Sequence, residues 1–454
     1  MIEEYLNEAQ DLREAGNITG AAEACKKAIE IDQNDHRPHF LLGMIAVSQT
    51  QHKDALDHFG EALRLDPDNR EALLNYGMSQ RDFGNFDKAD ESFRRVIELY
   101  PSFSPGYYNL VSIMMIEPES ELIQKLEDLV RSGIKDQYEE SLAHFALGKI
   151  YDDIGEWDKA FGNYVTANEL QGKVYDHQNT LTMFGRAKQT YTREFMEKNR
   201  GAGNADRKPI FILGMPRSGS SLVEDLLCRN DDIIGYGERT EIAQIVVRLE
   251  RTHPSHTPYP EIVEQINSDQ FSKLGELYLQ LLSQVTPTAE RVVDKNILNH
   301  SVAGFIRLMF NNAAIVHTVR DPIDTCLSCF FQNFRSGLEY CFDLNDLGIR
   351  YAAYADLMAH WEDVLGDGLF KVQYEELTQD KDKQIARLFD HVGMPVPEGK
   401  AIDTPAERAM ATASAWQARQ PIYSSSIKRW KNYEKHLGPL FEAMEGAGFH
   451  YQES

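Results

Sequence analysis

Small and apolar positions recur along the first third of the chain at a spacing of 34 residues. Gly43 and Gly77 share one repeat position, Ala21, Ala55 and Ala89 a second, and Ala28, Ala62 and Val96 a third. Pro67 and Pro101 close successive units. Gly16, Thr50 and Gly84 fall at the turn between paired helices, the middle unit lacking the glycine. A later unit keeps the same internal offsets with Gly148, Gly155, Ala160 and Ala167, and 104–140 reads as a degenerate helix pair of slightly different length. Small residues let two antiparallel helices approach closely, while Tyr, Phe and Leu fill the gaps between units. Asp66-Pro67-Asp68 stops one helix and starts the next. A helical pattern around Leu181–Met196 then leads into the loop GAGNAD at 201–206.

From residue 209 the pattern changes. Pro209–Leu213 is a short apolar run, the signature of a buried parallel strand. Gly214-Met215-Pro216-Arg217-Ser218-Gly219-Ser220-Ser221 follows, and Leu222, Val223, Leu226 and Leu227 then recur at helical spacing. Strand, glycine loop and helix aim backbone N–H groups and a helix dipole at an anion. Gly219 allows close backbone approach, and the serine hydroxyls add donors. The loop has the outline of a Walker A motif but carries Ser220 where an NTPase carries Lys, and its cation, Arg217, comes earlier. That weakens an ATPase or kinase reading. Ala313–Val319 reads as a second buried strand, followed by Arg320-Asp321-Pro322 and a helix bearing Ser328. Pro322 suits a first helical turn, and Arg320 and Ser328 can converge on one anion.

Over about residues 1–170 the repeats resemble the tetratricopeptide repeat. The resemblance implies an all-α solenoid whose concave face holds a peptide or protein partner, props up its neighbour or makes a homodimer. The expected organisation is a repeat domain at 1–170, a linker helix and loop at 171–208, and an α/β P-loop-like domain with a central parallel sheet at 209–454.

Composition narrows the function classes. At 454 residues and 42% hydrophobic, the chain builds sizeable cores, which disfavours wholesale disorder. The formal charge of −24 disfavours a general nucleic-acid binder, which needs basic surface to displace phosphate counterions. MIEEYLNEAQ has neither the basic nor the apolar region of a signal peptide, and no run of apolar residues is long enough to span a membrane. Five cysteines, sparse and odd in number, fit a reducing compartment.

PRSGSSL resembles the 5′-phosphosulfate loop of sulfotransferases, and Arg320 with Ser328 resembles that family's 3′-phosphate pair. Further blocks resemble the tyrosylprotein sulfotransferases and repeat-bearing bacterial sulfotransferases: Val292–Lys295, Lys371–Leu377 with Tyr374, and Ser414 through Arg429-Trp430. The resemblance implies 3′-phosphoadenosine 5′-phosphosulfate (PAPS) as donor, without a metal. Arg217, Ser218, Gly219, Ser220 and Ser221 would hold the phosphosulfate, and Arg320 and Ser328 the 3′-phosphate. Tyr374 and Arg429 would contact the nucleotide, and Lys295 and Ser414 would assist the transferring group. Glu238, in Gly235-Tyr236-Gly237-Glu238 after an apolar Ile233-Ile234, is the expected base. The family's Gly-Glu-Glu-Thr-Arg reads Gly237-Glu238-Arg239-Thr240-Glu241 here, which keeps Glu241 in reserve. Tyr236 and Val293 replace that family's half-cystines, so a cytoplasmic enzyme is expected. The acceptor stays open among protein tyrosine, glycan and small-molecule hydroxyls, with Arg239, Arg248 and Arg251 as basic contacts. An interaction scaffold with an inactive nucleotide-binding domain and a P-loop kinase are the alternatives. Cys326-x-x-Cys329 and Tyr351–Tyr354 read as packing, and His300, near Lys295, is the one histidine singled out.

Overall fold

A computed structural model describes residues 1–49, 51–286, 289–334, 337–397 and 427–452. They form two compact units, Met1–Gln171 and Gly172 onward.

Among its described residues, the first unit is helical throughout: α1 (Ile2–Glu14), α2 (Ile18–Ile31), α3 (Arg37–Ser48), α4 (His52–Leu65), α5 (Arg70–Phe83), α6 (Phe86–Leu99), α7 (Ser104–Val111), α8 (Glu121–Ser132), α9 (Gln137–Asp153) and α10 (Trp157–Gln171). Asparagine and aspartate start several of them. Asn17, Asn69 and Asp136 each accept an N–H from the first turn of the helix they precede. Gly84 ends α5 at φ +85°, a left-handed conformation that favours glycine. Thr50, at the equivalent turn, lies outside the described residues. The repeated glycines explain the pairing of helices. A Cβ on Gly43 would lie 2.5 Å from the Phe59 ring, on Gly77 2.6 Å from Phe93, and on Gly148 2.8 Å from Tyr164. Three of the helix pairs therefore seat a fully or nearly buried aromatic ring against a bare backbone. The degenerate pair is α7 and α8, in which α7 is cut to eight residues.

The second unit begins with α11 (His177–Thr190) and α12 (Arg193–Lys198). The expected linker helix is thus two helices, and they are built into this unit's core. Phe184, Tyr191 and Met196 are buried, and Tyr191 packs edge-on against Trp361 at 5.4 Å. Arg186 Nε donates to Glu261 at 2.7 Å. Alternating strands and helices follow: β1 (Pro209–Gly214), α13 (Ser220–Leu227), β2 (Ile233–Gly237), α14 (Glu241–Thr252), α15 (Ser268–Val285), β3 (Arg291–Asp294), α16 (Ala303–Met309), β4 (Ala314–Val319), α17 (Pro322–Phe330), α18 (Leu344–Leu365), β5 (Leu369–Gln373), α19 (Tyr374–Gln379) and α20 (Lys381–Val392).

The strands form one parallel sheet in the order β2-β3-β1-β4-β5. β1 is buried at every position, as a strand covered on both faces must be. Ile210 and Ile212 join Leu226, Leu227, Leu388 and Phe389 on one face. Phe211 turns to the other, with Tyr278 at 5.6 Å and Phe310 at 6.0 Å. Because every strand runs the same way, all five carboxyl ends open on one edge. The chain leaves β1 toward β2 and β3 on one side and returns on the other through β4, so the crevice lies beyond β1.

Candidate active site

Each strand end contributes a residue to that edge. The loop after β1 carries Arg217 and Gly219, β2 is followed by Glu238, β3 by Lys295, β4 by Arg320, and β5 by Tyr374.

The loop after β1 is held in an uncommon shape. Arg217 has φ +66° and Gly219 φ +98°. A non-glycine residue in the left-handed region costs about 1–3 kcal/mol, and such strain collects at functional sites. Arg217 is fixed there by its side chain, whose Nε donates to Ser328 Oγ at 2.9 Å from α17. A Cβ on Gly219 would stand 3.0 Å from the Tyr374 ring, so the backbone lies flat against that side chain. Ser218 turns inward. Its hydroxyl donates to Met215 O at 2.7 Å and meets Thr318 Oγ1 of β4 at 2.8 Å. Ser218 therefore braces the loop, while Ser220 and Ser221 open α13, whose first N–H groups face the crevice. Cys329 Sγ donates to Pro216 O at 3.3 Å, which gives one half of the Cys-x-x-Cys pair a loop-bracing contact. Cys326 and Cys341 are buried free thiols pushed well up by burial.

Arg320 reaches the same place from β4. Its guanidinium carbon lies 5.2 Å over the Tyr374 ring, and Nη1 is 3.5 Å from Arg217 O. Arg217, Ser328, Arg320 and Tyr374 thus converge: a guanidinium bonded to a hydroxyl, and a second guanidinium stacked on an aromatic ring.

On the other flank of β1, Lys295 and Glu238 form an ion pair. The Lys295 side chain is 1% exposed and that of Glu238 50%, so the cation is enclosed and the carboxylate opens outward. Lys295 N donates to Gly237 O at 3.0 Å, tying the two strand ends together. Below them Asp294 accepts from Tyr278 Oη at 2.7 Å and from Asn296 N at 3.0 Å. Burial pushes Asp294 from 3.8 up to about 7, against those hydrogen bonds. A carboxyl raised in the folded state contributes stability that is present below its unfolded value and lost as pH rises through its folded value. Wild-type stability relative to Asp294→Asn is therefore expected to decline between about pH 4 and pH 7. Denaturation midpoints of the two proteins across that range measure it, and parallel curves contradict it.

Glu241 is placed differently from Glu238. It is buried at the start of α14 and accepts from Tyr236 Oη and Arg239 Nε, each at 3.0 Å. Arg239 is committed to this pair. Arg248 and Arg251 lie farther along α14 beside the exposed Val247. His300 is fully enclosed. Its Nε2 faces Arg350 Nη2 at 2.8 Å, its Nδ1 lies 2.7 Å from Ile297 O, and burial with the adjacent guanidinium pushes it down to about 3. It is a neutral structural group. Tyr351 and Tyr354 are core residues, as expected.

Arg429 lies beyond α20, where its guanidinium carbon stands 5.8 Å over the Phe331 ring. Ser414 lies outside the described residues. Two groups that sequence reasoning did not single out are Asp321 and Asp324. Asp321 caps α17, accepting from Ile323 N and Asp324 N, each at 2.9 Å. Its place before a proline at a strand end was a readable signal. Asp324, 2% exposed, accepts from Lys428 N at 2.7 Å and Trp430 N at 2.9 Å. Burial pushes it up to about 6 despite Arg320 nearby, and no local sequence pattern announces such a contact. Among the described residues no cluster of three or more His, Cys, Asp or Glu is arranged to hold a metal, and no helix is long and apolar enough to cross a membrane.

Comparison with known proteins agrees with this architecture. Residues 209–398 match the sulfotransferase family, and residues 40–102 match the tetratricopeptide repeat. The chain joins tetratricopeptide repeats to a sulfotransferase-family domain. An uncharacterized protein of Aquifex aeolicus (strain VF5) is 27% identical over 444 residues, 96% of this chain; the chain spans 58% of that protein's length. A probable UDP-N-acetylglucosamine–peptide N-acetylglucosaminyltransferase SPINDLY of Eustoma exaltatum subsp. russellianum is 27% identical over 146 residues, 31% of this chain and 15% of its own. Among solved structures, sulfotransferase STF9 from Mycobacterium avium is 14% identical with a TM-score of 0.32, over 75% of this chain and 99% of its own. The sulfotransferase domain of the Synechococcus PCC 7002 olefin synthase is 18% identical with a TM-score of 0.34, over 50% of this chain and 89% of its own.

Proposed function

We propose that the protein transfers a sulfuryl group from PAPS to an acceptor hydroxyl. The observation that carries this reading is the convergence of Arg217, Ser328 and Arg320 on one side of β1, with the Lys295–Glu238 pair on the other. The donor set fits the ligand. Two guanidinium groups, a serine hydroxyl and a helix N-terminus are the partners a doubly phosphorylated nucleotide requires.

When bound, PAPS supplies a sulfuryl group on a phosphate leaving group. Arg217 and the N–H groups of the loop would bind the phosphosulfate end. Arg320 and Ser328 would hold the 3′-phosphate and so separate this nucleotide from ATP, while Tyr374 and Arg429 would contact the rest. Glu238, the outward carboxylate, would accept the proton of the acceptor hydroxyl at a carboxylate oxygen. Glu241 serves that role poorly, because Arg239 and Tyr236 already occupy it. Lys295 would stabilise negative charge as the sulfur–oxygen bond breaks, acting where its enclosed ammonium is least screened. Ser414 would assist it. The repeats would select or present the acceptor or a partner, whose class among peptide, glycan and small molecule is to be found by screening.

Incubation of the purified chain with radiolabelled PAPS and a panel of such acceptors is the test. Label transfer is expected, and Arg217→Ala or Glu238→Ala is expected to abolish it. Adenosine 3′,5′-bisphosphate is expected to bind in preference to ATP without added Mg²⁺. Preference for ATP would favour a kinase, and bisphosphate binding with no transfer to any acceptor would favour a scaffold.

A further inference from the structure

The segment at Lys428–Trp430 is attached to the anion-binding turn through one side chain. Asp324 sits on the first turn of α17, four residues after Arg320 and one turn before Ser328. Its two oxygens receive two different backbone N–H groups, Oδ2 from Lys428 at 2.7 Å and Oδ1 from Trp430 at 2.9 Å. Arg429 is the residue between them. Arg320 Nη2 lies 3.9 Å from Asp324 Oδ2, so the same carboxylate faces the cation at the end of β4.

Two further observations show that the attachment is specific. Lys428 has φ +56°, a conformation a non-glycine residue keeps only where its surroundings fix it. Asp324 is also itself buried, and a buried carboxylate is tolerated only when its oxygens are satisfied. Aromatic rings pack the same segment against its neighbours. Trp430 meets Phe441 at 6.0 Å and Tyr451 at 5.9 Å, and Tyr433 meets Phe331 at 5.0 Å. Ring contacts carry little directionality, whereas the two hydrogen bonds to Asp324 fix which backbone N–H groups face α17.

We infer that Asp324 is a positioning residue for the nucleotide's 3′-phosphate: it orients Arg320 and fixes the backbone that carries Arg429 beside it. The inference rests on the PAPS reading above and adds to it a residue that itself touches no ligand. Its effect falls on the 3′-phosphate end, because Arg320 and Ser328 share its strand end and helix, whereas the loop after β1 is also braced from within and from β4, by Ser218 on Met215 O and Thr318.

The test compares two probes on the full chain by calorimetry: adenosine 3′,5′-bisphosphate and adenosine 5′-monophosphate. Asp324→Asn keeps the size of the side chain but sets an NH₂ against one of the two N–H donors. Affinity for the bisphosphate is expected to fall about tenfold or more, the scale of a lost hydrogen bond to a charged group. Affinity for the monophosphate is expected to stay within about twofold. Unchanged bisphosphate affinity, or an equal loss for both probes, overturns the inference. If Asp324→Asn does not fold, Asp324→Glu carries the test: it keeps both oxygens but displaces them by a methylene, and the same selective loss is expected. Failure of the wild-type chain to bind the bisphosphate would sink the PAPS reading itself, an outcome distinct from a variant that behaves like wild type.

Discussion

Replacing Lys295 with methionine is expected to lower kcat for the proposed sulfuryl transfer by about 10²–10³-fold, the loss typical of removing one preorganised charge-stabilising donor. Methionine keeps the length and apolar stem of lysine and deletes only the ammonium. That ammonium is 1% exposed, and a charge there acts through a medium far less polarisable than water. Its partner, Glu238, is half-exposed and regains water when the pair is broken, so the fold has little to lose. The loss belongs in kcat, since charge on the leaving oxygen develops in the transition state and, in the proposed reading, Arg217 and Arg320 hold the ground-state donor. Initial rates at saturating donor and acceptor measure it. An unchanged kcat with a raised KM would show that Lys295 only helps to bind.

The second large effect is on stability. Phe93→Ala is expected to destabilise the repeat unit by about 3–5 kcal/mol, as removal of a fully buried aromatic ring does. Phe93 is 0% exposed and fills the space that Gly77 leaves open. A solenoid is held by nearest-neighbour interfaces, so the loss spreads along the array. The pairing gives a sharper check. Gly77→Ala alone is expected to destabilise because its Cβ would lie 2.6 Å from the Phe93 ring. In the Phe93→Ala background the same methyl enters vacated space and should cost less. Hydrogen exchange across α5 and α6 in the double-mutant cycle reads the coupling, and strictly additive effects would contradict it.

Particular residues show how far sequence reasoning reached. The helix pairs were legible because Gly43 and Gly77, and Ala21, Ala55 and Ala89, recur in register, and close helix packing leaves a period behind it. The strands β1 and β4 were legible because a parallel strand buried on both faces is a continuous apolar run. The linker reading at 171–208 was incomplete: Tyr191 and Trp361 are 170 residues apart, and no local pattern declares that α11 and α12 belong to the core of the second unit. Ser218 looked like a ligand donor within its motif, and only Thr318, 100 residues away, shows that its hydroxyl turns inward. His300 drew notice for lying near Lys295 in sequence, yet Arg350 and burial hold it neutral.

The sequence by itself determined the two architectures and the anion-binding groups at two strand ends: a helical repeat array, a parallel sheet with a glycine loop, and Arg217 and Arg320 in positions to meet an anion, with Lys295 and Glu238 named through the family resemblance. The architectures and the two arginines follow from periodicity and strand-to-loop order, which are local properties of the chain. The tertiary structure alone decided which of those groups are joined. It set Arg217 against Ser328, paired Lys295 with Glu238 rather than leaving both to solvent, enclosed Glu241 with Arg239, and placed Asp324 under the backbone of Lys428 and Trp430. Those contacts join residues tens to more than a hundred positions apart, apart from the short Arg239–Glu241 pair. They exist because a parallel sheet brings all its carboxyl ends to one edge, which makes neighbours of segments the chain itself keeps distant.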